Sequence, residues 1–164
     1  MPATPDDLFA RLDALGVAYT LYPHPAVHTV AESSAVTAHI PGLHCRNLFL
    51  RDKRGAQLLL TVGNATRVDL KRLAAHLGTG RLSFGSPERL MEALGTTPGS
   101  VSPFAVLHDA ARAVTPLLDA AMLGAYRVAV HPLVNTATIT LAPQDLVRFI
   151  EACHSPPRVI TFPL

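Results

Sequence analysis

The sequence lacks any apolar run long enough to cross a membrane, and no basic stretch followed by an apolar segment opens it. A spanning helix needs roughly 18 apolar residues, and a secretory leader needs that basic and apolar pairing. Cysteine is scarce as well, because Cys45 and Cys153 are the only two and neither flanks a paired-cysteine motif. We therefore expect a cytoplasmic protein without a disulfide framework; reduced thiols are the default, and a single Cys45–Cys153 bridge stays open.

Lysine is nearly missing, since Lys53 and Lys71 are the only lysines among 14 basic residues, and the net charge is only +2. Proteins that track a long duplex carry a concentrated stripe of basic residues, and a net charge of +2 is too small to indicate one. We therefore expect neither DNA nor a membrane as a partner, and any contact with RNA should be local.

The length of 164 residues predicts one domain, 1–164, with a single core. Capping residues followed by apolar residues at helical spacing predict helices after Thr4, Thr29, Asp69, Ser86 and Asp119 and from Pro143. Short apolar or alternating runs predict strands at 18–22, 46–51, 57–62, 82–84, 104–107, 114–118, 126–130, 136–141 and 159–162. Together these elements indicate an α/β fold, a mixed sheet with covering helices, centred on the hairpin 46–62.

The usual catalytic patterns fail on spacing. His24 and His28 are separated by a proline, an alanine and a valine, and no cysteine or carboxylate completes a ligand set, so we expect no metal and no cofactor. Cys45 adjoins His44, but neighbours in a strand point to opposite faces, which argues against a thiol nucleophile. Gly-x-Ser-x-Gly, the motif of serine hydrolases, is not present.

The segment 95–104 combines two glycines, two prolines and hydroxyl residues just past a predicted helix end. A stiff loop of this kind is either a tight turn or, if Gly99 adopts angles that expose successive amides, a site for an anion or a developing oxyanion.

Most basic residues are expected on solvated faces, but Arg46 and Arg81 each begin an apolar strand, where a guanidinium can reach a pocket mouth and bind phosphate. His131, at a predicted strand end, is either a structural histidine or a pocket donor.

Four segments together carry a resemblance to a known family: HCRNLFLRDK from His44, RLSF from Arg81, TPGSVSPF from Thr97 and HPLVNTAT from His131. In this order and spacing they resemble the YbaK/ProX family of prolyl-tRNA editing domains, and most of all its ProXp-ala branch, which hydrolyses alanine mischarged on proline tRNA. The resemblance implies a single α/β domain with a mixed, mostly antiparallel, barrel-like sheet.

The resemblance also implies a site. The 99–103 segment matches the family's Gly-x-x-x-Pro loop, whose amides would hold the aminoacyl carbonyl. We therefore expect catalytic roles for Arg46, Gly99, Ser100 and Val101, and substrate-binding roles for Asn47, Arg81, Ser102, Pro103 and His131. No side chain is an obvious general base, so the loop and a ribose hydroxyl of the substrate are expected to position the water.

Arg46 departs from the family, which carries lysine there. Arginine keeps the charge but cannot give up a proton at cellular pH, so a proton shuttle at this position is excluded. Either the position needs only a cation or activity has been lost or changed; retention of the other site residues favours the first.

The expected function is hydrolysis of a small amino acid, most of all alanine, from mischarged tRNA(Pro), with the tRNA acceptor end as substrate and prolyl-tRNA synthetase as a possible partner. Proline would be excluded sterically, by valine and leucine side chains near the loop. Two alternatives stay open: a module that binds aminoacyl-tRNA or a synthetase without hydrolysis, and an esterase for another small acyl ester.

Overall fold

The computed structural model describes residues 2–27 and 29–164, so that His28 of the candidate histidine pair lies outside the described residues. Six α-helices are present within these ranges: α1 Pro5–Ala14, α2 Val30–Thr37, α3 Leu70–Leu77, α4 Pro87–Leu94, α5 Ala120–Leu123 and α6 Pro143–Cys153. None of them has the length and apolar character needed to cross a membrane.

The helices begin where the capping residues predict. The Thr4 side chain accepts from the Asp7 amide while the Asp7 carboxylate accepts from the Thr4 amide, which makes a complete capping box. Asp69 and Ser86 cap α3 and α4 with their side chains alone: Asp69 accepts from the amides of Lys71 and Arg72, and Ser86 accepts from the amide of Arg89. Gly78 and Gly95 end those two helices in the left-handed conformation, which glycine adopts at little cost.

Eight strands form one mixed sheet: β1 Tyr19–Pro23, β2 Leu43–Arg51, β3 Gln57–Gly63, β4 Ser83–Phe84, β5 Thr115–Asp119, β6 Val128–Val130, β7 Ala137–Leu141 and β8 Arg158–Ile160. Their order is β1-β7-β6-β2-β3-β5-β8, with β4 paired to β2 off this path. The hairpin of β2 and β3 lies at the centre, as predicted. Pairs β1–β7, β2–β3, β2–β4 and β6–β7 are antiparallel, and β2–β6, β3–β5 and β5–β8 are parallel.

Strand β2 meets different neighbours at its two ends. Leu43 and His44, at its start, pair with β6, whereas Leu50 and Arg51, at its end, pair with β4. The segments that follow β6 and β4 are therefore held near opposite ends of one strand.

Both faces of the central hairpin are buried. Phe49 and Leu59 belong to an apolar cluster with α1, α4 and α6, while Leu50 and Leu60 belong to a second cluster with α3. Successive strand residues point to opposite faces, so this split is the pattern of a sheet covered on both sides.

The prediction of a strand at 104–107 is wrong, because Pro103–His108 is a 3₁₀ helix. The Ser102 hydroxyl accepts from the Phe104 amide and Pro103 occupies the first helical turn, which together start a helix instead of a strand. The segment is buried, and the Phe104 ring packs edge-on against Phe149 with centroids 5.2 Å apart. A short apolar run does not distinguish a buried strand from a buried helical turn.

Candidate functional site

A cavity of about 160 Å³ opens near the start of β2. Ligand pockets for drug-sized molecules occupy roughly 300–1,000 Å³, so this cavity suits a smaller group. It brings together parts of the chain that are far apart in sequence, and its lining residues are Val27, Thr29, Cys45, Arg46, Asn47, Asn64, Pro98, Gly99, Val101 and His131. Among the residues expected to form a site, it unites Arg46, Asn47, Gly99, Val101 and His131.

Arg46 uses its guanidinium to hold the turn that follows β3. Its Nη1 donates to the carbonyls of Gly63 and Asn64 at 3.1 and 3.0 Å, and its Nη2 donates to the carbonyl of Thr66 at 2.6 Å. Within the described residues, Nε and the second Nη2 proton have no hydrogen-bond partner. Because Asn64 lines the cavity, Arg46 fixes the position of one cavity wall.

Asp119 holds the same turn through different groups. Its Oδ2 accepts from the Gly63 amide at 3.2 Å and from the Thr66 hydroxyl, while its Oδ1 accepts from the Ala121 amide and so caps α5. The carboxylate is buried. The turn 63–66 is thus held by a cation on its carbonyls and an anion on its donors, and charge-assisted hydrogen bonds of this kind are the strong ones.

Asn47 joins β2 to the 98–101 loop. Its Nδ2 donates to the Val101 carbonyl at 3.0 Å, and its Oδ1 accepts from the buried Thr61 hydroxyl at 2.7 Å. The Val101 carbonyl can only accept, so Nδ2 must face it, and the Thr61 hydroxyl then donates to Oδ1. Thr61, directly opposite Asn47 in the hairpin register, was given no role from sequence.

The loop itself is a 3₁₀ helix, Pro98–Ser100, that begins without a side-chain cap. The Ser100 amide donates to the Thr97 carbonyl at 3.0 Å, and proline has no N–H. The Gly99 amide is therefore the donor that the first turn of a helix leaves without an internal partner. Chemically, an amide in this position on a cavity wall can donate to an oxyanion.

Gly99 does not reach this geometry through a left-handed backbone, because its φ lies outside the positive range that favours glycine. The alternative left open from sequence, that Gly99 exposes successive amides through special backbone angles, is therefore not supported by a left-handed φ. A Cβ built there would come 3.6 Å from Nδ2 of Asn135 and 4.0 Å from the Val27 carbonyl, both ordinary contacts. Gly99 is exposed and lines the cavity, and it has no side chain of its own to cover its amide.

Ser102 and Pro103 lie behind the loop. Both are buried, neither lines the cavity, and Ser102 caps the following 3₁₀ helix. The structure therefore places these two residues beneath the cavity wall and does not bring them to the cavity surface.

His131 comes directly after β6, and its ring is half-buried at the cavity. Its Nδ1 lies 3.1 Å from the Ala137 carbonyl, so Nδ1 carries a proton and donates it there. Burial lowers the pKa of His131 below its usual value, the charges of His24 and His44 lower it further, and the bond to Ala137 opposes them. In the neutral ring, Nε2 is then a hydrogen-bond acceptor.

The turn after His131 contacts residues that line the cavity. Asn135 donates from Nδ2 to the Val27 carbonyl at 2.9 Å, which ties this turn to the segment before α2. Leu133, between them, has a φ of 67°, a left-handed conformation that costs a non-glycine residue roughly 1–2 kcal/mol. Sequence reasoning assigned Asn135 no role, although it lies in one of the four resembling segments.

Cys45 lines the cavity as a thiol, not a thiolate. Burial, with a smaller contribution from Asp119, raises its pKa to about 12, and its Sγ donates to the Leu43 carbonyl. A thiol that stays protonated is a poor nucleophile, which agrees with the argument from strand geometry. Both cysteines are free, so no bridge joins Cys45 to Cys153.

Arg81 lies elsewhere, in a larger groove at the other end of β2. This groove, the basic groove below, is lined by Arg51, Lys53, Arg54, Leu70, Gly80, Arg81, Leu82, Ser83 and Phe84. Arg51 pairs with Ser83, so about 17 Å of extended strand separates this position from Arg46. Phe84 is 63% exposed within the groove. The structure does not bring Arg81 to the cavity.

Over 2–27 and 29–164, no three histidines, cysteines or carboxylates are grouped so that they could hold a metal ion. The polar groups of the described lining residues are instead amides, one hydroxyl, one guanidinium, one thiol and one imidazole. This chemistry suits recognition of a carbonyl or an ester by hydrogen bonds.

Comparisons with known proteins agree with the resemblance. The chain is 39% identical over 146 residues to the prolyl-tRNA editing protein ProX of Acetoanaerobium sticklandii, covering 88% of this chain and 89% of that one. It is 36% identical over 161 residues to the prolyl-tRNA synthetase associated domain-containing protein 1 of Xenopus laevis, covering 95% of each.

A solved structure has the same fold. The crystal structure of a candidate trans-editing enzyme for prolyl tRNA synthetase superimposes with a TM-score of 0.74 at 21% identity, covering 98% of each chain. The family pattern described as "Aminoacyl-tRNA editing domain" matches residues 24–149, which include the whole cavity. This chain therefore belongs to the family of aminoacyl-tRNA editing domains.

Proposed function

We propose that the chain, acting as one domain over 1–164, is a trans-editing deacylase that hydrolyses the ester of a small amino acid, alanine above all, on tRNA(Pro). The observation that carries the proposal is the small cavity in which Asn47, Gly99, Val101 and His131 meet. Membership of the family and the name of the ProX relative support the same chemistry.

The ester carbonyl would lie against the 98–101 loop. The Gly99 amide is a fixed donor on the cavity wall, and Asn47 holds the loop through the Val101 carbonyl. Donors already in position stabilise the charge of a tetrahedral intermediate without reorganising, commonly the largest contribution to catalysis. The Ser100 amide bonds to Thr97, so its part in catalysis is to keep the loop turn closed; Val101 contributes the carbonyl that Asn47 grips.

Selection of the amino acid would be steric. Val27 and Val101 are buried and Pro98 lies beside them, so the apolar part of the cavity has rigid walls. A methylene or two changes binding by roughly 1–3 kcal/mol at most, which is too little for selecting a small group by attraction alone. Rejection of the proline ring by a clash with these walls gives a larger difference. Of the expected valine and leucine walls, the valines line the cavity.

Arg46 would act by positioning. Three of its donors hold the turn 63–66, and its charge remains beside the cavity, where a terminal phosphate or ribose of the tRNA must pass. This role needs a cation with several donors and no proton transfer, which arginine meets as lysine does.

The basic groove would bind a part of the tRNA that lies at a distance from the ester. Four cations and an exposed phenylalanine line it, a combination that binds phosphates electrostatically and stacks bases. At about 17 Å along β2 from Arg46, Arg81 would contact the tRNA acceptor end beyond its terminal nucleotide. A synthetase bound to the same tRNA is the protein partner that the names of the relatives suggest.

Incubation with Ala-tRNA(Pro), Ser-tRNA(Pro) and Pro-tRNA(Pro) tests the function. We expect Ala-tRNA(Pro) to be hydrolysed far above the enzyme-free rate and Pro-tRNA(Pro) to remain intact. Equal background hydrolysis of all three would refute a deacylase. Free alanine esters without tRNA serve as a further substrate, and equal activity on them would favour an esterase of broader range.

The second candidate is a module that binds the aminoacylated end and does not cleave it. The observation that favours it is Arg46, which stands where the resembling family carries lysine. Tight binding of Ala-tRNA(Pro) in a filter assay, with the ester intact over the lifetime of the complex, would replace the deacylase by this function.

A further inference from the structure

We infer that Nε2 of His131 accepts the proton of the attacking water, which makes His131 the general base of the reaction. The inference rests on the proposed deacylase function and adds the group that sequence analysis could not find. It starts from the position of the ring, which lines the cavity directly after β6.

The hydrogen bonds of His131 select one tautomer. Nδ1 lies 3.1 Å from the Ala137 carbonyl, an acceptor only, so Nδ1 must be the protonated nitrogen. The lone pair of the neutral ring is then on Nε2, and within 2–27 and 29–164 no group donates to it. A backbone carbonyl that fixes the tautomer and the ring orientation is the usual way in which a protein prepares a basic histidine.

The neighbours of His131 keep it neutral. The His24 ring lies edge-on to it with centroids 6.2 Å apart; His24 itself has Nδ1 2.8 Å from the Pro25 carbonyl and Nε2 2.9 Å from the Thr138 hydroxyl. His44, on β2, has Nε2 2.8 Å from the Ile40 carbonyl. Burial and these two rings hold the pKa of His131 below its usual value, so at neutral pH the base is in its active form.

Elimination among the described lining residues gives the same answer. Cys45 is a protonated thiol with a pKa raised to about 12, and the Arg46 guanidinium has no lone pair that accepts a proton. The remaining polar groups are amides and the Thr29 hydroxyl, which are not basic. Of the described lining residues, His131 alone can take a proton from water at neutral pH.

The step balances within one ester and one water. As the water oxygen bonds to the carbonyl carbon, its proton passes to Nε2, and the carbonyl oxygen becomes an oxyanion at the Gly99 amide. When the intermediate collapses, the bond from carbon to the ribose oxygen breaks and the protonated Nε2 returns its proton to that oxygen. The products are the free amino acid and the tRNA 3′ end, and His131 is neutral again.

The test uses single-turnover hydrolysis of Ala-tRNA(Pro) by the full chain, comparing wild type with His131→Asn. Asparagine keeps a donor at the position of Nδ1, and with it the bond to the Ala137 carbonyl, but has no basic nitrogen. We expect the rate constant of His131→Asn to fall by about 10²- to 10⁴-fold, with the tRNA concentration for half-maximal rate changed less than about threefold.

The pH profile separates a base from a structural residue. The wild-type rate should rise with pH through the His131 pKa, below the usual 6.5, and then level off, because only the neutral ring accepts a proton. His131→Asn should lose this acid limb, and added imidazole should restore part of the rate of His131→Ala. Thermal unfolding of each variant shows whether it is folded.

A His131→Asn protein that keeps its rate within about threefold of wild type, or keeps the wild-type acid limb, overturns the inference and leaves the deacylase function in place. A wild-type protein that hydrolyses none of the aminoacyl-tRNAs overturns both. Loss of the rate in His131→Asn without rescue of folded His131→Ala by imidazole also counts against a base.

Discussion

The two ends of β2 present arginines in contrasting ways. Arg46, near the start, directs three donors into the protein's own turn at 63–66, while Arg81, beside the strand that pairs with Arg51, is exposed in an open groove. In sequence the two look alike, because each begins an apolar strand. The difference shows that position in a strand fixes only the backbone location of an arginine. The carbonyls within reach of its guanidinium determine which hydrogen bonds it makes.

Each end also has a buried aspartate that organises backbone. Asp119 accepts from Gly63 and Thr66 beside the cavity; Asp52 accepts from the amides of Arg54, Ala56 and Gly80 beside the basic groove. At the cavity the aspartate is matched by the Arg46 cation on the same turn. At the groove Lys53, Arg54 and Arg81 are exposed to solvent, and the charge of Arg54 also helps to lower the pKa of Asp52.

The largest effect is expected at Arg46. Arg46→Ala removes the guanidinium donors from the carbonyls of Gly63, Asn64 and Thr66 and releases a cavity wall. Deacylation of Ala-tRNA(Pro) should therefore fall by about 10²-fold or more, since small displacements in an active site cost that much. Arg46→Lys keeps a cation with three N–H groups and should preserve the rate. Single-turnover assays measure both, and thermal unfolding should show Arg46→Ala to be less stable by about 2 kcal/mol.

If Arg46→Lys were as inactive as Arg46→Ala, the guanidinium fork itself would be required. Arg81→Ala in the same assay is the matched comparison, because it removes an arginine that holds no cavity wall.

Next in size is the effect of widening the cavity at Val27. Val27→Ala removes two methyl groups from a wall, so the preference for alanine over proline should fall by about tenfold or more, through a gain in Pro-tRNA(Pro) cleavage. The ratio of kcat/KM for the two substrates measures this. Val159→Ala, on an exposed side chain of β8, is the control. An unchanged ratio would remove Val27 from the specificity of the site.

A smaller effect is expected at the basic groove. Arg81→Ala should raise KM for the tRNA by about threefold to tenfold and leave kcat unchanged, because the contact is with phosphate and distant from the ester. For Arg81→Ala, the slope of log Kd against log salt concentration should be smaller by about one. Arg158→Ala, on β8, is the charge-matched control. A fall in kcat instead would mean that Arg81 acts on the cavity.

The smallest effect concerns acid stability at the groove end. Burial raises the pKa of Asp52, but the amides of Ala56, Gly80 and Arg54 and the charge of Arg54 outweigh it, so this pKa lies below its ordinary value of 3.8. A carboxyl with a depressed folded pKa stabilises above its unfolded value and loses that contribution as pH falls through the folded one. Asp52→Asn should therefore lower Tm at neutral pH, and its difference from wild type should shrink below about pH 4.

If the Tm difference between Asp52→Asn and wild type stayed constant down to pH 3, the carboxylate charge would contribute nothing at this site. The activity of Asp52→Asn at neutral pH shows whether the groove and the cavity are independent.

Local chemistry predicted the elements well. Thr4, Asp69 and Ser86 each start a helix because their side chains satisfy amides of the first turn, an interaction that lies within three residues of sequence. The central hairpin followed from alternation and a short turn. The wrong prediction at 103–108 arose because two signals compete there. The apolar run favours a strand, whereas Ser102 and Pro103 before that run favour the start of a helix.

Site geometry was less predictable, because it depends on contacts distant in sequence. Nothing near Arg46 shows that its donors meet carbonyls at 63–66, and nothing near Asn47 shows that it grips Val101. The resemblance supplied the residue types of the cavity. It did not supply the His131 tautomer, which the Ala137 carbonyl sets, or the separation of Arg81 from the cavity.

The clamp of Arg46 and Asp119 on the turn 63–66 has a consequence for how the cavity is first occupied. Since protein groups alone hold this wall, it needs no RNA to become ordered, and little free energy of association is spent on shaping it. An aminoacylated tRNA would then bind to a preformed cavity. Its association rate constant should depend on the electrostatics of the RNA more than on any rearrangement of the protein.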